Sequence, residues 1–277
     1  MRVVVVMPTW NEAEGVAGFL EELHEALAVW EVSFLVVDDA STDGTGSLIA
    51  SMGAEGFPVR LIANPANQGH GSSTRIALRE GLALRPDVVV AVDGDGQFNG
   101  KDIRHLVELK TDSQWDIIEG VRTARGDPLY RRLVTAVTRI FIALRTGTLP
   151  RDANTPLRVY APTVLESLLK VIPNEFPTPN LLISAQSRRW GLSILEVQVQ
   201  SLPRRGATAQ GSTWGQGLNF LPTKRFVRFC RGATAAWMKT RLESSPPSTL
   251  LLSANGTVLE SDKGGHRGSE PSDVPNP

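Results

Sequence analysis

The first 120 residues alternate short apolar runs with stretches of helical periodicity, and this alternation most limits what the chain can fold into. Short, nearly all-apolar runs are typical of strands that helices cover on both faces. Alternating strands and helices predict an α/β fold with a doubly wound, mostly parallel sheet, whose site lies at the carboxyl ends of the strands. The predicted strands are Val3–Met7, Ser33–Val37, Val59–Ala63, Val88–Val92 and Asp116–Glu119.

Four stretches in the gaps place apolar residues three and four positions apart, which is typical of helices. They are Glu14–Leu27, Asp43–Ser51, Ser72–Leu84 and Asp102–Lys110. Beyond Arg122 we predict a strand–helix region, in which Gly and small polar residues indicate a mobile loop. Its predicted elements are the amphipathic helix Leu129–Leu144, the strand Leu157–Tyr160, a helix near Leu181–Trp190, the strand Ser193–Val199, the loop Gly206–Gly217 and the basic helix Phe220–Leu242.

These patterns divide the chain into one large domain and a C-terminal extension. We expect a domain over residues 1–215, with a first part at 1–121 and a second part at 122–215. A basic amphipathic helical extension follows at 216–242. Residues 243–277 are rich in Ser, Pro and Gly and predict a disordered tail.

The composition is that of an ordinary globular protein, but charge is unevenly distributed. The 277 residues are 41% apolar and carry no net charge. Residues 1–121 contain 19 acidic and 8 basic side chains, whereas residues 122–241 contain 5 and 19. The basic half predicts an anionic partner, or else a solvated face that pairs with the acidic half.

Neither the cysteine content nor the apolar runs suggest export or membrane insertion. Cys230 is the lone cysteine, the N-terminus lacks the pattern of a leader peptide, and no run approaches the roughly 18 apolar residues of a membrane span. We therefore expect a cytoplasmic protein without a membrane span.

Two aspartates, Asp93 and Asp95, follow the strand Val88–Val92 with a single glycine between them. Two carboxylates this close repel each other unless a cation lies beside them. Oxygen ligands suit Mg²⁺ or Mn²⁺, which commonly binds one or two carboxylates together with substrate phosphates. Gln97 is a candidate third ligand. An acidic surface turn would have the same sequence, so the pair alone leaves both readings open.

Two other polar motifs are predicted at the same sheet edge. "MPTWNEAEG" places Thr9, Asn11 and Glu12 after the first strand, and "VVDDASTDGT" places Asp38 and Asp39 after the second. Helix capping accounts for Ser41 to Asp43. It does not account for Glu12 or for the doubled aspartate.

Four ordered motifs now make the sequence recognisable: "VVVVMPTWNE", "FLVVDDASTDGT", "NPANQGHGSS" and "VVAVDGDGQFNG". Over residues 1–215 the chain resembles the inverting family 2 glycosyltransferases with the GT-A fold, with most likeness to the dolichol-phosphate and polyprenyl-phosphate mannosyl- and glucosyltransferases. The resemblance implies a GDP- or UDP-sugar donor, a polyprenyl phosphate acceptor and a Mg²⁺ or Mn²⁺ cofactor. It makes residues 1–121 the nucleotide-sugar-binding part and residues 122–215 the acceptor-binding part of the domain. It assigns nucleotide binding to Pro8, Thr9, Asn11, Glu12 and Asp39, and metal binding to Asp93, Asp95 and Gln97.

The second half carries shorter pieces of the same pattern. By resemblance, "EGVRTARG" points to Arg122, "RRLVT" to Arg131 and Thr135, and "LPRRGATA" to Arg204 or Arg205. The sequence departs from the family pattern at two places. Pro156 and Leu157 replace a usual Gly-Phe, and Ala209 stands where a lysine is expected, and both departures concern the acceptor.

The predicted reaction moves a hexose, with inversion, onto a lipid phosphate, with Asp95, Arg122, Arg131 and Arg204 as catalytic residues. A phosphate acceptor is already anionic and needs no general base, whereas arginines would align it. A hydroxyl acceptor would need a base, for which Asp152 is the candidate. With a lipid phosphate acceptor, the helices Leu133–Leu144 and Phe220–Leu242 would contact an anionic membrane surface. The alternative is that the first helix packs in the core and the second forms a solvated face.

Other classes of protein fit the sequence less well. A dehydrogenase would need a Gly-x-Gly-x-x-Gly turn in place of "PTWNE", and a nucleotidyltransferase a glycine-rich basic turn there. A phospho-acceptor domain would explain Asp38 and Asp39 but not the second acidic pair. A catalytically inactive nucleotide-sugar-binding module remains as the alternative outside enzymes. No ordered basic-aromatic motif indicates a nucleic-acid partner.

Overall fold

The structure of the chain, a computed structural model, describes residues 1–123, 129–206, 224–248 and 250, without the side chains of 129–132, 225 and 226. It consists of two compact units, Met1–Ser245 and Pro246–Pro277. In the described part of the second unit, the Leu250 amide donates to the Pro247 carbonyl at 3.0 Å. The first unit contains every helix and strand described below. Most of the predicted mobile loop and most of the predicted tail lie outside the described residues.

Seven strands form one sheet in the order β3-β2-β1-β4-β6-β5-β7. Strand β6 is antiparallel to both of its neighbours, and the other pairs are parallel, so the predicted mostly parallel sheet is confirmed. The strands are Arg2–Thr9 (β1), Glu31–Asp38 (β2), Val59–Ala63 (β3), Val88–Ala91 (β4), Ile117–Thr123 (β5), Arg158–Tyr160 (β6) and Ile194–Gln200 (β7).

Eight helices connect or flank these strands in the described residues, and seven of them match predicted helices with shifted ends. They are Val16–Ala26 (α1), Thr45–Ala54 (α2), His70–Ala83 (α3), Gly100–Thr111 (α4), Leu129–Thr146 (α5), Pro162–Val171 (α6), Pro179–Arg189 (α7) and Lys224–Lys239 (α8). Helix α6 was not predicted. Pro162 at its first turn and the buried Val164, Leu165 and Leu168 are the start signal and apolar spacing that could have revealed it.

Both faces of the sheet are covered, which explains the unbroken valine runs. Val3, Val5 and Met7 of β1 share a core with buried residues of α1 and α4. Successive side chains of a strand point to opposite faces, and Val6 accordingly lies against α3 on the other side. A strand with polar residues at alternate positions would have placed polar side chains against the helices on one of these faces.

The strand order opens a crevice between β1 and β4. The chain passes from β1 to β2 on one side, while β4 pairs with β1 on the other. Loops after neighbouring strands diverge at such a switch point, where open α/β sheets bind ligands. The Gly94 amide donates to the Pro8 carbonyl at 3.1 Å and joins the two strand ends. The loop that carries Thr9 to Glu12 therefore faces the turn that carries Asp93 to Gln97.

Candidate active site

A cleft at the switch point brings together most of the predicted nucleotide and metal residues. Its walls come from the ends of β1, β2 and β4, the start of α3 and the segment that follows β7. The lining residues are Pro8, Thr9, Trp10, Glu12, Asp39, Asn67, Gly69, His70, Ser73, Asp93, Gly94, Asp95 and Arg204. Seven of the predicted site residues are thus neighbours in space although they span about 200 positions of the chain.

The Asp93–Asp95 pair lies in this cleft with its negative charge only partly compensated, by the nearby charge of Arg204. No arginine or lysine of the described chain forms an ion pair with either carboxylate; the nearest partner is His70, whose Nε2 is 3.6 Å from Asp93 Oδ1. Burial, and then the charge of Asp93, raises the pKa of Asp95 from 3.8 to about 6. A cation between the two carboxylates would remove this penalty.

The donor set fits a hard divalent ion. Within the described residues, no third His, Cys, Asp or Glu completes a group that would hold a metal without substrate. Mg²⁺ and Mn²⁺ commonly use one or two carboxylates and take their remaining oxygens from phosphates and water. The side-chain nitrogen of Gln97 donates to the Leu202 carbonyl at 3.2 Å, so this predicted ligand faces the segment after β7 in the structure.

Glu12 and Arg204 form a partly buried ion pair at one wall of the cleft. Glu12 is 5% exposed at its side chain, and Arg204 Nη2 contacts its Oε1. Burial raises the pKa of Glu12 to about 7, because the desolvation of its carboxylate outweighs the attraction of Arg204. The Glu12 amide donates to Thr45 Oγ1 at 2.9 Å, which fixes the loop against α2. A predicted nucleotide residue and a predicted catalytic arginine therefore bind each other.

Asp39 lines the cleft, but its carboxylate already accepts three hydrogen bonds. Asn64 Nδ2 and the Gln68 amide donate to Oδ1, and the Gly69 amide donates to Oδ2, each at 2.8 Å. Asp39 thus holds the loop that leads into α3. Asn11 does not line the cleft; its Oδ1 accepts from the Thr42 amide at 2.9 Å and joins the first two loops.

The predicted arginines of the second half are dispersed. Arg122 does not line the cleft: its Nε donates to Asp152 Oδ2 at 2.9 Å and its Nη2 to Oδ1 at 3.2 Å. Asp152, the candidate base for a hydroxyl acceptor, is 3% exposed at its side chain. The Arg131 side chain lies outside the described part of the chain, and Thr135 lies in α5.

Besides two glycines, four lining residues were not assigned from the sequence: Trp10, Asn67, His70 and Ser73. The motifs that contain them, "MPTWNE" and "NPANQGHGSS", are part of the family resemblance, which assigned other residues in the first motif and none in the second. His70 is the first residue of α3. A histidine between two glycines at the start of a predicted helix, beside a strand end, is the signal that could have found it.

A buried charge cluster in the second half was also missed. Glu119 of β5 contacts Arg158 Nε at 3.2 Å and Arg188 Nη2 at 2.7 Å, and Arg188 contacts Glu196 at 2.8 Å. Arg158 is wholly buried and also donates to the carbonyls of Asn180 and Ala153, each at 2.9 Å. This cluster joins β5, β6, β7 and α7 and holds the segment that bears Asp152.

Comparison with known proteins agrees with this architecture. A family model described as glycosyl transferase family 2 matches residues 4–168, and the chain belongs to that family. It is therefore a glycosyltransferase of the hexosyltransferase class, as the sequence predicted.

Two curated relatives share part of their sequence with this chain. The undecaprenyl-phosphate mannosyltransferase of Micrococcus luteus is 28% identical over 210 residues, which cover 74% of this chain and 85% of that protein. The undecaprenyl-phosphate 4-deoxy-4-formamido-L-arabinose transferase of Salmonella paratyphi B is 26% identical over 174 residues, 61% of this chain and 51% of that protein. The chain thus spans about half the length of the second relative.

Solved structures share the fold. Glucosyl-3-phosphoglycerate synthase from Mycobacterium tuberculosis, in complex with Mn²⁺, UDP and its product, has a TM-score of 0.60 at 18% identity, over 86% of this chain and 79% of that one. A mannosyltransferase from Pyrobaculum calidifontis, in complex with GDP-mannose and Mn²⁺, has a TM-score of 0.51 at 19% identity, over 94% and 81%. The predicted GT-A fold is confirmed.

Proposed function

We propose that the protein transfers a hexose from a GDP- or UDP-sugar to a polyprenyl phosphate, with inversion and with a divalent metal. The observation that carries the proposal is the only partly compensated Asp93–Asp95 pair, which shares its cleft with an arginine. The two curated relatives are both transferases named for undecaprenyl phosphate, which supports the acceptor class. The Mn²⁺ and nucleotide bound by proteins of the same fold support the donor class.

Asp93 and Asp95 would hold Mg²⁺ or Mn²⁺, which as a Lewis acid stabilises the negative charge of the departing nucleoside diphosphate. We assign the nucleotide itself to the loop after β1, where Pro8, Thr9 and Glu12 line the cleft. Thr9 Oγ1 is buried and has no hydrogen-bond partner within the described structure, so it offers a polar contact to a ligand. Asp39 and Asn11 would act by holding the neighbouring loops in place.

The acceptor would be bound by arginine. A phosphate monoester is nucleophilic at neutral pH, so the chain has only to align it with the anomeric carbon. Arg204 lies in the cleft, and Arg131 and Arg122 would complete the phosphate site from the second half. The hydroxyl alternative is less well supported, because Asp152 is buried and bound to Arg122 and is therefore poorly placed to accept a proton.

An assay with a panel of donors tests the proposal. Purified protein is incubated with undecaprenyl phosphate in vesicles and with radiolabelled GDP-mannose, UDP-glucose or other GDP- and UDP-hexoses. We expect label in the organic phase with one donor, no label in the presence of EDTA, and recovery with Mn²⁺ or Mg²⁺. Label in a water-soluble glycoside would contradict the acceptor, and full activity in EDTA would contradict the metal.

We further propose that α5 contacts the membrane that holds such an acceptor, on its cytoplasmic face. No described helix is long and apolar enough to cross a bilayer. One side of α5 nevertheless exposes a stripe of large apolar side chains at helical spacing, and its opposite side buries Ile142. The basic helix α8 docks beside it, since Arg145 donates to the carbonyls of Trp237 and Thr240. The stripe consists of Leu133, Val137, Ile140, Phe141 and Leu144, each at least 41% exposed.

Such a helix lies in the interface of an anionic bilayer, with cations near the headgroups. Flotation with phosphatidylglycerol vesicles tests this contact. We expect the wild-type protein to float and the double variant Ile140→Glu, Leu144→Glu to remain at the bottom. Val29→Glu changes an equally exposed apolar residue in the first half and is the control. Equal flotation of all three proteins would contradict the contact.

A further inference from the structure

The turn that carries Asp95 is hydrogen-bonded to a segment more than 100 positions later in the chain. The Leu202 amide donates to the Gln97 carbonyl at 2.9 Å, and the Arg205 amide donates to the Asp95 carbonyl at 3.0 Å. The Gln97 side chain completes the pairing by donating to the Leu202 carbonyl. The backbone conformation of Asp95 and Gln97 therefore depends on segment 202–205.

The Arg205 side chain anchors this segment. Its Nη2 forms an ion pair with Glu22 of α1, and its Nε donates to the Gly96 carbonyl at 3.3 Å. The guanidinium carbon lies 5.0 Å from the centre of the Phe19 ring, a favourable cation–π arrangement. Glu22 also accepts a hydrogen bond from the Gly100 amide at the start of α4, at 2.5 Å. One arginine thus ties α1, α4 and the aspartate turn together.

Two glycines leave the room that Arg205 occupies. A Cβ on Gly96 would lie 2.4 Å from Arg205 Cδ, and Gly96 has a φ of +66°. A Cβ on Gly15, just before α1, would lie 2.6 Å from Arg205 Cβ. Contacts this short do not occur between real carbon atoms, so a side chain at either position would displace Arg205. Arg205 therefore packs closely against Gly15 and against Gly96, and neither position has room for a side chain.

Arg204 and Arg205 are neighbours in sequence with opposite orientations. Arg204 lines the cleft and contacts Glu12, whereas Arg205 faces α1 and does not line the cleft. We propose that Arg205 is a positioning residue: by fixing the backbone at Asp95 and Gly96, it sets the geometry with which Asp93 and Asp95 bind the cation. This inference rests on the metal site of the proposed function. It assigns Arg205 no contact with substrate.

Substitution of glycine tests the role of Arg205 without changing a charged residue. Mn²⁺ is titrated into the full-length protein in the presence of GDP or UDP, whose phosphates supply the remaining metal ligands, and binding beyond that of the nucleotide alone is followed by electron paramagnetic resonance. We expect Gly15→Ala to weaken Mn²⁺ binding about 10- to 100-fold, the usual effect of losing an outer-shell support of a metal site. Gly18→Ala is the matched control, because its added Cβ meets open space in the same helix. It should bind Mn²⁺ as the wild type does.

Direct substitution of Arg205 decides the case if Gly15→Ala does not fold. We expect Arg205→Ala to weaken Mn²⁺ binding by a similar factor, and Arg205→Lys to recover part of it, because lysine keeps the charge opposite Glu22. Thermal melting without Mn²⁺ checks that each variant is folded. Wild-type Mn²⁺ affinity in Arg205→Ala or in folded Gly15→Ala would overturn the inference. Absence of Mn²⁺ binding by the wild type would instead overturn the metal site of the proposed function.

Discussion

Two groups of acidic and basic side chains lie at the sheet, and they differ in how their charges are compensated. In the second half, Glu119 and Arg158 are almost wholly buried, and each charge has an opposite partner within 3.2 Å. In the first half, Asp93 and Asp95 lie one residue apart without an arginine or lysine partner among the described residues. We call the first group closed, because its charges form ion pairs with each other, and the second group open, because its carboxylates have no such partner among the described residues.

This difference suggests different roles for the two groups, one in stability and the other in binding. A buried charge is tolerated when the protein itself supplies the counter-charge and the hydrogen bonds, and the cost of removing one partner is then high. A pair of like charges that the protein compensates only in part is destabilising until a ligand arrives, and perturbed carboxylates of this kind cluster at functional sites. The closed group should therefore govern stability, and the open group should govern binding and catalysis.

The largest effect is expected on stability, from Glu119→Gln. This change leaves Arg158 with a buried, uncompensated charge and should lower the free energy of unfolding by about 3–5 kcal/mol. Urea denaturation measures the loss. Glu196→Gln removes one contact of Arg188 from a more exposed position and should cost less. A loss below about 1 kcal/mol for Glu119→Gln would show that the two groups do not differ in this way.

Asp95→Asn should have the next largest effect, and on activity alone. Loss of the metal-held charge stabilisation should reduce the transfer rate about 100- to 1,000-fold, equivalent to about 3–4 kcal/mol. The rate is measured with the donor found in the panel assay, at saturating Mn²⁺. Unfolding by urea without metal should be no easier than in the wild type, because the change removes a repulsion. Wild-type activity would contradict the role of Asp95.

A dependence of stability on pH sharpens the comparison. The folded pKa of Asp95, about 6, lies above its ordinary value of 3.8, so the folded state holds this proton more tightly than the unfolded state. Metal-free wild-type protein should then lose stability relative to Asp95→Asn as pH rises from about 4 to 6, by on the order of 2 kcal/mol. Urea unfolding of both proteins at each pH measures this difference. The prediction is contradicted if the difference in the free energy of unfolding between the two proteins does not change with pH. It is also contradicted if the same pH dependence persists with Mn²⁺ added.

The smallest effect is expected at the Arg122–Asp152 ion pair, which belongs to neither group. Asp152→Asn keeps the shape of the side chain but weakens its hold on Arg122. The acceptor KM should rise about tenfold, or 1.4 kcal/mol, with little change in the KM for the donor. Steady-state kinetics with varied lipid phosphate tests this. A fall in kcat of about 100-fold with unchanged acceptor KM would favour Asp152 as a general base and a hydroxyl acceptor.

Much of the fold could be predicted because its signals are local. The valine runs of β1 and β4 and the periodicity of α1 each occupy a few consecutive residues. Helix α6 was not predicted, although Pro162 marks its start. Strand β6 is only three residues long, and its antiparallel pairing between β4 and β5 depends on partners that sequence periodicity does not identify.

The assignment of site residues stays a prediction, and the structure shows which of these residues lie together. The residues at the strand ends, such as Glu12 and Asp95, were placed correctly at one edge because parallel strands end together. The pairings of side chains were not predictable. Arg204 and Arg205 have the same chemistry and adjacent numbers, and only their packing sends one to Glu12 and the other to Glu22.

The sequence by itself determined the alternating architecture, the edge of the sheet at which polar groups gather and the family to which the chain belongs. Each follows from residue type and from spacing over a short stretch. The tertiary structure alone decided which charges are compensated, since a counter-charge acts over a few ångströms of space whatever its distance along the chain. Glu119 and Asp95 are both acidic, the first within β5 and the second just beyond the end of β4. Their difference is that two arginines form ion pairs with Glu119, whereas no arginine of the described residues forms one with Asp95.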